Sequence, residues 1–193
     1  MSEGAGGNSA VEASVVGIRR DRPPLAKLLL DVTLRNDRAE QRWFLLPEML
    51  GGSPVPRERG IFGVDPVEVR GEGRAVVAAF RGAEGFQALL LPGGAEVRVR
   101  GLPLAHLGRL PSGAAGLEVA IATSLEIGGE PAGDWIGSDP LSDRSVDADY
   151  EHARRLPSRY TPHYADVPAV VAEEARLSVT FALPSAPPVS QTE

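Results

Sequence analysis

Apolar and polar residues alternate with a period of two along much of the chain, a pattern typical of strands with one buried face. The longest series has Leu117, Val119, Ile121, Thr123, Leu125 and Ile127 on one predicted face, and a second series has Leu28, Leu30, Val32 and Leu34. A series of the same length as the second occurs at residues 177–183, and shorter ones occur at residues 67–69, 76–80 and 97–99. Residues 11–18 indicate a first strand whose inward face the pattern does not define. The pattern predicts about eight strands.

Glycine and proline separate these series, with 22 Gly and 17 Pro in the chain. Because both residues favour turns, their positions indicate short strands instead of long helices. Two polar breaks, at residues 35–42 and 91–96, are predicted to be hairpin turns, the second because Gly93 and Gly94 are able to adopt positive φ at little cost. The predicted fold is all-β, an antiparallel two-sheet sandwich of immunoglobulin-like architecture.

The length of 193 residues suits a single domain of ordinary size. We expect the sandwich to span residues 11–184, with flexible ends at 1–10 and 185–193. The strand pattern stops at residues 128–167, which are predicted to form a long, partly ordered excursion without strands. This segment contains Trp135 and all three tyrosines. Since disordered segments are poor in aromatic residues, we expect it to pack on the sandwich.

Two stretches near the C-terminal third, residues 147–155 and 167–176, are the candidates for short helices, the first with Asp147 as N-cap. The same region is acidic, and Asp147, Asp149 and Glu151 have the spacing of the first three ligands of a calcium loop. The motif fails beyond them, because His152 stands where the loop needs glycine. A solvated acidic loop is therefore favoured, and no metal site is predicted.

The motifs of common catalytic sites are missing from the sequence. There is no cysteine and the single lysine is Lys27, so thiol chemistry and a phosphate-binding GxxxxGK loop are excluded. No nucleophile elbow is present, and the three histidines show no zinc-binding spacing. The sequence therefore favours a non-catalytic protein and predicts no cofactor.

Charge and hydropathy limit the kinds of partner that the protein is expected to bind. The net charge of -6 argues against nucleic-acid binding, which depends on Lys and Arg. No apolar run approaches the roughly 20 residues that span a bilayer, and the first residues show no secretory signal. We expect a cytoplasmic protein, and the preference for Arg, Ala, Gly and Pro suggests a bacterial one. Another protein is the expected partner.

Aromatic residues are the candidates for a partner-binding surface, because Trp and Tyr are common at interfaces. They are Trp43, Trp135, Tyr160 and Tyr164, together with His163 between the last two. Trp43 has two interpretations: an exposed anchor near several arginines, or, by a slight preference, a side chain buried beneath the 128–167 segment, with Phe44 buried on the opposite side.

The predicted function is a protein-interaction or accessory module, and two alternatives stay open. The first is a small-molecule binder or enzyme with a site between the 128–167 segment and the sheet, built from Asp134, Trp135, Tyr160 and His163. A pocket lined by these residues, with a histidine of shifted pKa, would support that alternative, and a flat or convex surface there would count against it. The second is a structural or oligomer-forming subunit, since the oligomeric state cannot be read from the sequence.

Overall fold

The structure, a computed structural model, describes residues 10–21, 27–57, 63–70, 75–81, 85–107, 110, 113–133, 145–155 and 169–183. Eleven strands have bounds in this part of the chain: β1 Val11–Arg20, β2 Lys27–Asn36, β3 Arg42–Pro47, β4 Gly63–Arg70, β5 Ala75–Arg81, β6 Phe86–Leu91, β7 Ala95–Ala105, β8 Ala114–Ile127, β9 Glu130–Pro131, β10 Ser145–Arg155 and β11 Ala169–Ala182. The prediction of an all-β fold is confirmed.

The strands form one hydrogen-bonded ladder in the order β1-β2-β7-β10-β4-β5-β6-β3-β8-β11, with β9 paired to β8. Most neighbours are antiparallel, as predicted. The exception is β10, which runs parallel to β7 from the pair Ser145↔Glu96 to the pair Asp149↔Arg100. The sheet is therefore mixed, and the predicted antiparallel pairing is confirmed for the other pairs of described strands. The parallel strand comes from the 128–167 segment, where no strand was predicted.

The main core lies between two layers of this ladder, with β2 and β7 on one side and β3, β6 and β8 on the other. The predicted inward face of β2 is confirmed, because Leu28, Leu30, Val32 and Leu34 are at most 1% exposed. Each fully buried side chain of this kind stabilises the fold by roughly 1.5–3 kcal/mol. Face-to-face packing of the two layers is thus the main source of stability.

Two β-bulges lie on the strands that flank Asp31, one on β1 and one on β7. Each bulge changes which residues of its strand face the core, from odd-numbered to even-numbered positions. In β7 the register shifts between Leu30↔Leu102 and Val32↔Val99, and Gly101 takes a φ of 72° at the bulge. In β1 the register shifts between Val15 and Gly17. Since one extra residue reverses which side chains face inward, β1 points odd-numbered residues to the core before its bulge and Ile18 after it. This reversal explains why the sequence pattern of β1 had no clear phase.

A register irregularity also changes the faces of β8. Leu117, Val119 and Ile121 join the main core, whereas Leu125 and Ile127 join a second cluster on the opposite side of the sheet. Thr123, between the two groups, is exposed. The prediction that all six residues share one face is therefore wrong. The cause is the shifted pairing with β11 between Val171 and Ala175.

The two polar breaks are corners between the layers and not hairpins, so that prediction is wrong as well. The strands that flank each break do not pair with one another. At the first break, β2 pairs with β1 and β7, and β3 pairs with β6 and β8. At the second, β6 pairs with β3 and β5, and β7 pairs with β2 and β10. Turn-forming residues predict a change of chain direction, but they do not predict whether the two flanking strands pair with one another.

Asn36 is a buried side chain that joins the two corners. Its Nδ2 donates to the carbonyl oxygens of Glu40 at 2.9 Å, Leu91 at 3.2 Å and Pro92 at 3.1 Å. The backbone of Asn36 also accepts a bond from Gly94 N at 2.8 Å. The corners approach so closely that a Cβ on Gly93 would lie 2.0 Å from Ala39 O. Glycine at position 93 is thus required by packing.

The C-terminal third contains strands where other structure was predicted. The segment 128–167 includes β9 and β10, so its description as non-strand is wrong. Both helix candidates also lie mainly in strands, the first within β10 and the second largely within β11. The acidic residues at 147, 149 and 151 have the period of a strand. Pairing with β7 makes this segment a strand instead of the predicted helix. The domain bounds stay a prediction.

Candidate functional site

The two ends of the ladder, β1 and β11, approach one another without pairing and leave a cleft between them. Residues 11–14 of β1 and 176–179 of β11 form its sides, and Thr33, Arg35 and Glu96 contribute from β2 and β7. The cleft volume is about 500 Å³, which lies in the range of ligand-binding pockets. We refer to this site as the edge cleft. An edge strand carries backbone N–H and C=O groups able to pair with another chain.

The apolar side chains of the edge cleft are less well covered than the rest of the core. Val11, Ala13 and Val15 on β1, and Leu177 and Val179 on β11, pack against the main core but are only half-buried. On the adjacent strand β2, the inward side chains are at most 1% exposed. The hydrophobic interior is therefore incompletely closed along this seam of the sheet.

A row of charges crosses β1, β2 and β7 beside the edge cleft. Arg35 lies opposite Glu12 on one neighbouring strand and Glu96 on the other. Its Nε donates to Asp37 Oδ1 at 2.7 Å. This hydrogen bond, followed by the negative charges of Asp37, Glu12 and Glu96, raises the pKa of Arg35. The guanidinium therefore stays charged and is surrounded by carboxylates.

Arg176 supplies the second guanidinium of the cleft, and it too is held by carboxylates. Its Nε and Nη2 donate to the two oxygens of Glu173 at 2.8 and 2.7 Å, and its Nη1 donates to Glu118 at 3.3 Å. The hydrogen bond to Glu173 raises the pKa of Arg176 and lowers the pKa of Glu173. Two guanidinium groups in or beside the cleft thus meet five carboxylates: Glu12, Asp37, Glu96, Glu118 and Glu173.

Strand β11 is fixed from its other side by a pair of arginines. Glu174 Oε2 accepts a hydrogen bond from Arg42 Nε at 2.6 Å, and Glu174 Oε1 forms an ion pair with Arg38 Nη1 at 2.8 Å. Arg42 is only 8% exposed, and the hydrogen bond to Glu174 raises its pKa. These contacts join β11 to β3 and to the corner before it, so the cleft wall at 176–179 continues from an anchored segment.

Trp43, the one predicted site residue that the structure describes, is buried. Its side chain is 5% exposed and lies in the second cluster with Leu45, Phe86 and Ala132, while Phe44 lies in the main core on the opposite side of β3. The burial of Trp43 and Phe44 on opposite sides of the strand, which was slightly preferred, is confirmed, and the interpretation of Trp43 as an exposed anchor is wrong. Cover by the whole 128–167 segment stays a prediction. Ala132 belongs to the segment that was expected to cover Trp43.

The other predicted site residues, Trp135, Tyr160, His163 and Tyr164, lie outside the described residues, as does Asp134. The residues of the edge cleft were not identified as a site from the sequence. Their alternation of small apolar and charged residues was visible, but the meeting of the first and last strands depends on the whole ladder. Because positions 14 and 176 are far apart in the sequence, no local pattern shows that they lie close together in the fold.

A second hollow, of about 380 Å³, lies beside the exposed side chain of Leu107 and is lined mainly by apolar residues, together with His106. Among the residues that the structure describes, no group of three or more His, Cys, Asp or Glu is placed to hold a metal ion. Within the same residues, no helix has the length and apolar character needed to cross a membrane.

Comparisons with known proteins found no relative of this chain. No protein-family model matches the chain, and the searches of curated proteins and of solved structures returned no match.

Proposed function

We propose that this protein is a non-catalytic interaction module that accepts an extended segment of another protein in the edge cleft. The observation that carries the proposal is the half-burial of the apolar side chains along two neighbouring edge strands, β1 and β11. An extended segment in the cleft would cover these side chains and pair with the backbone of one edge strand. Strand addition of this kind obtains affinity from main-chain hydrogen bonds and specificity from alternate side chains.

The electrostatics support binding over catalysis at this site. The shifted pKa values of Arg35, Arg176 and Glu173 arise from ion pairs that favour the ordinary charged forms. A general acid or base at neutral pH needs the opposite, a pKa moved towards the operating pH. The charged groups therefore suit recognition of a partner. We also propose that the sandwich has an immunoglobulin-like architecture. The packing of two β layers supports this part of the proposal.

The absence of cysteine from the chain permits a direct test with a single thiol. Ser178→Cys places the thiol in the wall of the edge cleft, and Ser124→Cys places it at an exposed position of β8. Each variant is labelled with a bulky maleimide, and peptides selected from a random displayed library on the unlabelled protein are then titrated. We expect the label at position 178 to abolish binding and the label at position 124 to leave it unchanged.

Equal binding by both labelled proteins would overturn the proposal. Light scattering of the unlabelled protein distinguishes an interaction module from the alternative, an oligomer-forming subunit. A module that reserves its edges for a partner stays monomeric across concentrations, whereas a subunit that pairs its own edges grows in size with concentration. An increase in mass that the label at position 178 suppresses would favour the subunit.

A further inference from the structure

The hydrogen bonds between β11 and β8 determine which backbone groups of β11 reach its open edge. Leu183 N donates to Gly113 O at 2.8 Å, and the same register continues without a shift back to Ala175. In an antiparallel pair, every second residue exchanges hydrogen bonds with its partner, and the residues between them point their N–H and C=O groups away. The odd-numbered residues therefore bond to β8, and the residues that direct their backbone groups to the open edge are Arg176, Ser178, Thr180 and Ala182.

The open edge of β1 is interrupted by its β-bulge. Hydrogen bonds at the two ends of the β1–β2 pair, Asp37 N to Ala10 O at 3.0 Å and Asp21 N to Lys27 O at 2.9 Å, belong to different registers. The residues that direct their backbone groups outwards are consequently Val11, Ala13 and Val15 before the bulge, followed by Ile18. The step from Val15 to Ile18 spans three residues, whereas a regular partner strand needs two. Bulges of this kind are one device by which proteins protect an edge from pairing.

A segment paired with β11 would also cover apolar side chains of the edge cleft. Residues directly opposite one another in a strand pair share a face, so guest residues opposite Leu177 and Val179 turn their side chains over these half-buried positions. On the outward face, Ser178, Thr180 and Ala182 are exposed and uncharged. From position 177 to 182, β11 thus has no charge, proline or bulge of the kinds that discourage pairing at an edge.

We propose that β11 is the docking edge and that the guest pairs with the outward backbone groups of residues 176–182. The guest is an extended segment with apolar side chains at alternate positions, placed over Leu177 and Val179. This inference rests on the proposed function, because it names which of the two edges the partner pairs with. Strand β1 then forms the opposite side of the cleft and contacts the guest through side chains.

Residue-resolved amide hydrogen exchange tests the choice of edge, with and without the tightest-binding peptide from the displayed library. In the free protein we expect the N–H groups at 178, 180 and 182 to exchange faster than those at 177, 179 and 181, which bond to β8. We expect the peptide to slow exchange at the even-numbered positions by about tenfold or more. Slowing at positions 11, 13 and 15, alone or together with β11, would overturn the choice of β11 and leave the proposed function intact. Slowing at neither edge would overturn the proposed function itself.

A matched pair of proline variants provides an independent test. Proline is tolerated on an edge strand where the N–H that it removes points outwards, so Thr180→Pro and Ala13→Pro are both expected to fold, as circular dichroism checks. We expect Thr180→Pro to weaken binding of the peptide by about tenfold, and Ala13→Pro by less than about twofold. Equal losses, or a larger loss for Ala13→Pro, would overturn the choice of β11. If either variant does not fold, hydrogen exchange in the unaltered protein decides.

Discussion

At the scale of single residues, Asn36 shows how one buried amide holds two corners of the fold. Its Nδ2 serves three carbonyl oxygens and its Oδ1 accepts a bond from Arg38 N at 3.2 Å. An unsatisfied buried polar group costs about 1–3 kcal/mol. Hydropathy along the chain places this residue in a polar turn, so its full burial was not predictable from the local pattern.

We expect Asn36→Ala to lower the free energy of unfolding by about 1–3 kcal/mol, because the three carbonyl oxygens lose their donor. Asn36→Asp is expected to be more destabilising, since a buried carboxylate has no proton to donate to these carbonyls. Chemical denaturation measures both, with Ser124→Ala at an exposed site as the control. An Asp variant at least as stable as the Ala variant would contradict the role of the Nδ2 group.

A second residue-scale effect concerns acid stability near the edge cleft. The hydrogen bond from Arg176 holds the pKa of Glu173 below its ordinary value of about 4.5. A carboxyl whose pKa is lower in the folded state contributes stability above the unfolded pKa, and this contribution is lost as pH falls through the folded value. The pair is partly exposed, so solvent screening limits its contribution to at most about 1 kcal/mol.

Glu173→Gln is therefore expected to reduce the free energy of unfolding at pH 7 by about 1 kcal/mol or less, and this loss is expected to disappear as pH falls through the lowered pKa of Glu173. Denaturation midpoints of both proteins from neutral to acid pH measure the effect. An equal loss of stability at neutral and at acid pH would indicate that packing, and not the charge of Glu173, is responsible.

At the scale of elements, the strands that a sequence predicts well are those with one buried face. The series in β2 is of this kind, with Leu28 and Leu30 fully buried. Strand β3 is buried on both faces, and β1, β7 and β8 contain irregularities that reverse or shift their faces. A bulge is decided by the pairing of two strands, so a period-two pattern read along one strand cannot locate it.

Strand β10 shows a second limit of local reasoning. Its acidic residues and a favourable cap indicated a helix, yet it pairs with β7 in parallel and with β4 in the antiparallel sense. Parallel neighbours require a long crossover, and β7 is separated from β10 by the whole of β8. The contact therefore depends on the arrangement of distant elements, which residues 145–155 alone do not encode.

At the scale of the whole molecule, the edge cleft is a consequence of the ladder. All-β composition was readable from alternation and turn residues, but the meeting of β1 with β11 requires the order of every strand between them. The site was sought among aromatic residues, whereas the described candidate, Trp43, is a core residue. The charged and half-buried residues beside the seam have no signature in the sequence that separates them from an ordinary strand surface.

The central claim is that the edge cleft binds an extended segment of another protein. Amide hydrogen exchange with and without the tightest-binding peptide from the displayed library tests it most directly, because a paired backbone N–H exchanges more slowly. We predict slower exchange at residues 11–15, at residues 176–179, or at both, with β3 and the core of β8 unchanged. Protection of neither segment would contradict the account.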